Sequence, residues 1–364
     1  MNGDVRVEEY LRAHVEAGDF PGASYLVAEE GRVLAEGALG LAVVRPRRIP
    51  AATSTLYDLA SLTKPFAGAL LAARLASAGR LRCEDRLVRL LPEWDREDEA
   101  SRISLLDLLT HRSGLPAWKP LYVHATGREE YLRSLKDLAL DRPPGARVVY
   151  SDPGYILLGF ALERAGGASL ERLFAEMITG PLQITDLLYR PEPALQRRIA
   201  ATEEGNRKER LLAGPEGDGY NGWRAEVAWG VVHDLNARAL GGISAHAGLF
   251  GTARAVHLMA REVLGPGTGL LEESQRLLMS TNLTAGLGED RSLGFLLASS
   301  PGTAAEGALS RRSFGHTGFT GTSLWIDPDA RRIYVLLTNR VHPEFRETDM
   351  NAIRRGFHQI AAAL

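Results

Sequence analysis

The chain is poor in several features that would fix a mechanism early. It has one cysteine, Cys83, in 364 residues, which excludes an internal disulfide and a cysteine-rich metal site. No run of eighteen apolar residues occurs, so no segment is a candidate membrane-spanning helix. The net charge is only −2, with both signs spread along the chain. Nothing electrostatic therefore argues for nucleic acid or an anionic membrane as partner. The basic charge is almost all arginine, with only four lysines: Lys64, Lys119, Lys136 and Lys208. There is no G-x-S-x-G, because the nearest approach, Gly242-Ile243-Ser244-Ala245-His246, ends in histidine. That argues against an α/β-hydrolase nucleophile elbow.

What is present is ordinary globular material: 45% hydrophobic and 24% charged residues, enough for one large or two interleaved domains with a sizeable core. Residues 1–17 are charged and carry Val5, Tyr10, Leu11 and Val15 at loosely helical intervals. They lack an apolar signal-peptide core. The expectation is a cytoplasmic protein, or a periplasmic one if a leader has been trimmed.

Residues 22–28 and 32–39, joined by Glu30-Gly31, read as a β-hairpin. At the far end, residues 312–326 read as a strand, 327–330 as a turn, 331–338 as another strand and 351–364 as a helix. Strands from both ends can share one antiparallel sheet only if the middle is an insertion. The middle shows helical spacing of apolar residues at 64–77, 104–110, 128–138, 154–164, 170–178 and 254–263. The expected fold is α/β: an antiparallel sheet flanked by helices, an α/β sandwich, with an inserted mainly α-helical domain. Residues 1–60 plus 254–364 would form the sandwich and 61–253 the helical domain, with the cleft between them. Residues 201–251 read as the longest irregular stretch.

The chemistry begins at Ser61-Leu62-Thr63-Lys64. A serine three residues before a lysine on a helix puts a nucleophile and a base on one face, without metal or cofactor. An ordinary solvated helix start is the alternative for the tetrad alone. Asp58 precedes the apolar pattern Phe66, Leu70, Leu71, Leu75, so Ser61 should lie in or just before the first turn, where free N–H groups favour negative charge. Pro65 suits an early helical position. Downstream come Tyr150-Ser151-Asp152, in a loop before a helix, and His316-Thr317-Gly318, on a glycine-rich strand. Ser151 or Asp152 is a plausible helix cap with Pro153 at the first helical position.

These three motifs in this order resemble the serine β-lactamase and penicillin-binding-protein superfamily, in its class C β-lactamase-like branch with carboxylesterase and D-peptidase relatives. The resemblance runs from about residue 20 to 340. It implies that Tyr150 hydrogen-bonds Ser61 and Lys64 and shuttles the proton, and that the backbone N–H groups of Ser61 and Phe319 form an oxyanion hole. The substrate would lie against the strand of His316, Thr317 and Gly318.

Two positions depart from the pattern. Asp152 stands where an amide is usual, and a carboxylate beside Lys64 favours the ammonium. The expectation is a charged Lys64 that lowers the pKa of Tyr150 and makes the phenolate the working base. His316 stands where lysine is usual, and a neutral imidazole suits an uncharged ester better than a carboxylate-bearing substrate. His111 reads as a turn residue. His233, Asp234 and His246 match no standard zinc spacing, and His246 is a candidate cleft-lining residue. Trp118, Tyr122, Tyr220, Trp223 and Trp229 could form an apolar acyl pocket or pack locally, with Trp118, Tyr122 and Trp223 the candidates for the cleft. The expected function is a serine hydrolase working through an acyl-enzyme on Ser61, with short-chain carboxylic esters the leading substrates. A β-lactamase or D-amino-acid peptidase is the enzymatic alternative, and a module that acylates without turnover the non-enzymatic one. The oligomeric state is left open.

Overall fold

The computed structural model describes residues 3–364. A seven-stranded antiparallel sheet forms its backbone, in the order β3-β2-β1-β10-β9-β8-β7. The strands are β1 (Gly22–Glu29), β2 (Arg32–Val43), β3 (Ile49–Pro50), β7 (Leu296–Leu297), β8 (Phe314–Thr317), β9 (Ser323–Asp327) and β10 (Arg332–Thr338). The chain ends meet at the centre, where β1 pairs with β10 from Ala23 opposite Thr338 to Glu29 opposite Arg332.

Alternation explains why β1 and β10 are almost wholly apolar. Leu26, Ala28, Ile333, Val335 and Leu337 point into the main core, while Tyr25, Val27, Tyr334 and Leu336 point to the opposite face. There they meet Val7 and Leu11 of the Gly3–Ala17 helix and Ile353 and Phe357 of the Met350–Ala361 helix. Both faces of the central strands are covered, so both side-chain sets are hydrophobic.

The main core is filled from the helical body, chiefly by the segment after Ser61 and by the Asp152–Gly166 and Ala253–Leu264 helices. The segment expected as one α-helix at 64–77 opens differently. Ala60–Leu62 is a 3₁₀ turn, Lys64–Leu70 is π-helical and only Leu71–Ser77 is α-helical. Pro65 lacks the N–H that a regular ladder would use. Gly68 lets the Tyr155 ring approach, since a Cβ there would lie 2.7 Å from the ring. A short sheet of β4 (Tyr57–Asp58), β6 (Leu249–Gly251) and β5 (Leu187–Tyr189) lies beside this turn, with β6 central.

Three further local expectations need correction. The single strand at 312–326 is the hairpin β8–β9, turned through residues 318–322. The stretch at 201–251 is not all irregular, as it contains the Arg207–Ala213 and Leu235–Ala239 helices. Ser151 is the cap of the Asp152–Gly166 helix, accepting from the Gly154 N–H at 3.1 Å, so Pro153 falls one position further in than expected.

Candidate active site

The turn carrying Ser61 is held by Asp58. One carboxylate oxygen accepts the Ala60 N–H at 2.9 Å and the other the His233 N–H at 2.7 Å. Ala60 has φ +47°, a left-handed conformation that costs a non-glycine residue about 1–2 kcal/mol. The two carboxylate bonds and the β4–β6 pairing hold it there. The β8–β9 turn is stitched to the same backbone. Thr320 Oγ1 donates to the Asp58 carbonyl at 2.7 Å and Thr322 Oγ1 to the Leu59 carbonyl at 2.9 Å. Gly318 permits this approach, because a Cβ there would sit 2.6 Å from the Leu59 carbonyl oxygen and 2.1 Å from Thr322 Oγ1.

Lys64 is fully buried and its ammonium has several partners. Nζ donates to Ser61 Oγ at 2.9 Å and to the His246 carbonyl at 3.2 Å, and pairs with Asp152 Oδ1 at 2.7 Å. The Tyr150 phenol faces both Lys64 and Ser61. Burial works against the lysine's charge, but Asp152 and Tyr150 outweigh it and raise its pKa above the ordinary value. Tyr150 moves in the opposite sense to expectation: burial raises the phenol, and the Lys64 charge offsets this only in part. The resting site is therefore ammonium, carboxylate and neutral phenol.

Tyr150 is braced on several sides. Lys64 Nζ lies 4.7 Å and Arg291 Cζ 5.2 Å from its ring centre. The rings of His111 and His316 lie 4.4 and 5.8 Å away. His111 has φ +58°, and its Nδ1 accepts the Ser151 N–H at 3.0 Å. The turn reading holds for it, with an added contact to the Tyr150 ring. His316 Nδ1 donates to the Thr317 carbonyl at 2.9 Å, which leaves the lone pair on Nε2. Burial, then the charges of Arg291 and Lys64, push its pKa well below the ordinary value, so the imidazole is neutral.

Ser61, Tyr150, Asp152, His316, Thr317, Gly318, Phe319 and Trp118 all border one cleft of about 540 Å³. Phe319 is clamped between stacked rings, 5.6 Å from His233 and 5.4 Å from Phe345, and its carbonyl accepts from Arg340 Nε at 2.7 Å. A second cavity of about 770 Å³, bordered by Trp223, Trp229 and Arg238, is larger but holds no motif residue. The smaller cleft is the candidate site.

Three candidates lie elsewhere. Tyr122 is buried and Trp223 borders the second cavity. With Tyr220 these rings pack edge-to-face or tilted against one another at 5.0–5.8 Å, so local packing describes them. His246 is buried behind the cleft and reaches Lys64 through its carbonyl. The sequence reading missed Asp58 as the turn's clamp and Arg291, Arg340, Arg354 and Glu209 as cleft residues. Asp58, two residues before the φ-positive Ala60, was the only one with a nearby signal. The others come from distant segments.

The family model described as "Beta-lactamase" matches residues 7–357. The chain belongs to the β-lactamase family. It is 30% identical over 377 residues to the "Putative D-alanyl-D-alanine carboxypeptidase" of Escherichia coli (strain K12), covering 95% of this chain and 84% of that one. It is 29% identical to the "N-acetylmuramyl-L-alanine amidase" of Bacillus subtilis (strain 168), covering 95% and 83%. Among solved structures, EstCE1, "a hydrolase with promiscuous acyltransferase activity", superposes with TM-score 0.76 at 22% identity over 98% of both chains. A class C β-lactamase superposes with TM-score 0.74 at 18% identity, over 99% of this chain and 96% of that one. This β-lactamase-family protein is thus a serine hydrolase with the class C β-lactamase fold.

Proposed function

We propose that the protein acylates Ser61 and hydrolyses short-chain carboxylic esters. The observation that carries this reading is the neutral His316 on the cleft wall, which puts no positive charge at the position where a cation would grip a carboxylate. Once Tyr150 has lost its proton to solvent, Ser61 Oγ attacks the ester carbonyl as its own proton passes to the Tyr150 phenolate. The Lys64 ammonium, held by Asp152, stabilises the phenolate and the forming alkoxide. Collapse expels the alcohol, protonated by Tyr150, and water then repeats the sequence on the acyl-enzyme. Because burial holds the phenol above its ordinary range, the phenolate is scarce at neutral pH. The acylation rate should accordingly rise with pH.

A second reading, cleavage of a peptide ending in a D-alanine carboxylate, has its own support. The Arg291 side chain borders the cleft, is only 6% exposed, and its Nη1 has no hydrogen-bond partner among the described residues. The curated relatives named as carboxypeptidases point the same way.

Steady-state hydrolysis of p-nitrophenyl butyrate, a chromogenic cephalosporin and an N-acyl-D-Ala-D-Ala peptide separates the readings, using wild type and Ser61→Ala. Ser61-dependent ester turnover with little cleavage of the others is the expected result. Dominant peptide or cephalosporin turnover, with KM raised by Arg291→Leu, would replace the ester reading with the second. One stoichiometric burst without turnover would make the protein a binding module.

A further inference from the structure

Behind the cleft, three side chains form a hydrogen-bonded chain that the mechanism above does not use. Ser244 Oγ lies 2.7 Å from His246 Nδ1, and His246 Nε2 lies 2.9 Å from Asp234 Oδ1. The two ring nitrogens of His246 thus bridge the Ser244 hydroxyl and the Asp234 carboxylate. Types and order match a serine hydrolase triad, yet Ser244 is buried and borders neither large cavity. A second nucleophile is therefore not what the chain provides.

What it holds is the backbone of 244–246. The Ser244 carbonyl accepts from Tyr189 Oη at 2.8 Å, and the His246 carbonyl accepts from Lys64 Nζ at 3.2 Å. Just beyond, the Leu249 N–H donates to Thr63 Oγ1 at 3.2 Å and the Leu249 carbonyl accepts the Leu59 N–H at 2.9 Å. The segment thus flanks the Ser61–Lys64 turn on both sides. An ammonium has three N–H bonds to place. Ser61 and Asp152 lie toward the cleft, and the His246 carbonyl is the anchor from behind.

We propose that Ser244, His246 and Asp234 act as positioning residues that fix the His246 carbonyl and, through it, the Lys64 ammonium. Asp234 ties this chain to the cleft: it caps the Leu235–Ala239 helix at the Ala237 N–H, 2.7 Å away, and its side chain is 22% exposed on the cleft wall. Burial opposes its charge, but His246, the helix N–H and Lys64 outweigh it, keeping the carboxylate ionised. Facing Asp234 are Asp58, Glu209, Arg224, Tyr122, Tyr131, His246 and Lys64. Facing Lys64 are Asp152, Tyr150, His111 and His316. The negative charge of Asp234 supports the ammonium, so its removal loosens both the geometry and the charge of Lys64.

This inference rests on Ser61 being the nucleophile, and the test keeps the two apart. Ser244→Ala, Asp234→Asn, His246→Ala and His246→Gln are compared with wild type and Ser61→Ala. The readouts are the rate of Ser61 labelling by a fluorophosphonate and, on the ester, kcat, KM and the pH profile. The expected result is labelling and kcat lowered by about 10–100-fold, the scale of a small misplacement of a reacting group, with KM within twofold. Asp234→Asn should also move the alkaline limb to lower pH, and His246→Gln should recover part of the rate lost in His246→Ala. Ser244→Ala removes a single hydroxyl and serves if the other variants fail to fold. Unchanged labelling, a superimposable pH profile or an effect on KM alone would overturn the proposal. Absence of Ser61 labelling in the wild type would overturn the reading beneath it as well.

Discussion

Asp152→Asn is the sharpest perturbation this site offers. The carboxylate lies 2.7 Å from a fully buried ammonium and is itself 17% exposed. An opposite charge at that range shifts a pKa by about 1–3 units. In the wild type Asp152 and Tyr150 hold Lys64 above 10.5 against burial, so the ammonium persists across the whole practical pH range. In the variant burial acts without its main counterweight, and the charge is lost about 1–3 pH units earlier. The direct effect of Asp152 on Tyr150 is to raise it, so its removal also brings the phenolate in at lower pH while Lys64 is still charged. Both limbs of the kcat/KM profile should therefore move to lower pH, with a loss of about tenfold per unit beyond the new alkaline limb. Leaving the lysine without its partner should cost up to about 3–5 kcal/mol of stability, less to the extent that Asp152 is solvated. The assay is ester hydrolysis from pH 6 to 10.5 at constant ionic strength, with unfolding monitored in parallel. An alkaline limb that stays put, or higher activity at neutral pH with only the acid limb moved, would refute the reasoning and make neutral Lys64 the base.

Other sites give further expectations. Gly318→Ala would drive a Cβ to within 2.6 Å of the Leu59 carbonyl oxygen, displacing the Phe319 N–H and lowering kcat by about 10²–10³, with KM less affected. Asp58→Asn leaves one acceptor for the two N–H groups of Ala60 and His233, and should cost about 1–3 kcal/mol in denaturant unfolding. Glu209 is buried near Asp234 and is pushed up to about 8 from an ordinary 4.5. Its contribution to stability is complete below pH 4.5 and lost as the pH rises through 8, because the folded state holds the extra proton. Glu209→Gln should flatten that decline in melting temperature between pH 5 and 9, and an unchanged slope would show that another group causes it.

The sheet was legible because apolar runs at 22–28 and 331–338 flanked by turn residues are a local signal, and the shared sheet followed from strands at both ends around a helical middle. The hairpin within 312–326 was not, because its turn is held by Thr320 and Thr322 bonding to residues 58 and 59, a long-range contact no window contains. Ser61, Lys64 and Tyr150 were readable because their spacing carries the chemistry, and Asp152 because it breaks the usual pattern. The charge state of Tyr150 was misjudged, since the burial that raises it depends on His111 and His316 packed around the ring. Arg291 gave no sign, because its place over Tyr150 depends on segments 141 residues apart meeting in space.

The pairing of β1 with β10 has a consequence for how the chain is made. The Gly22 N–H finds its partner in the Asn339 side chain, 317 residues further on. A ribosome adding about 5–20 residues per second needs on the order of 15–60 s to cover that distance. Throughout that time the β1–β2 hairpin has an open inner edge and no Met350–Ala361 helix to complete the cover of its outer face. The nascent protein must either keep that edge guarded or postpone its sheet until translation ends.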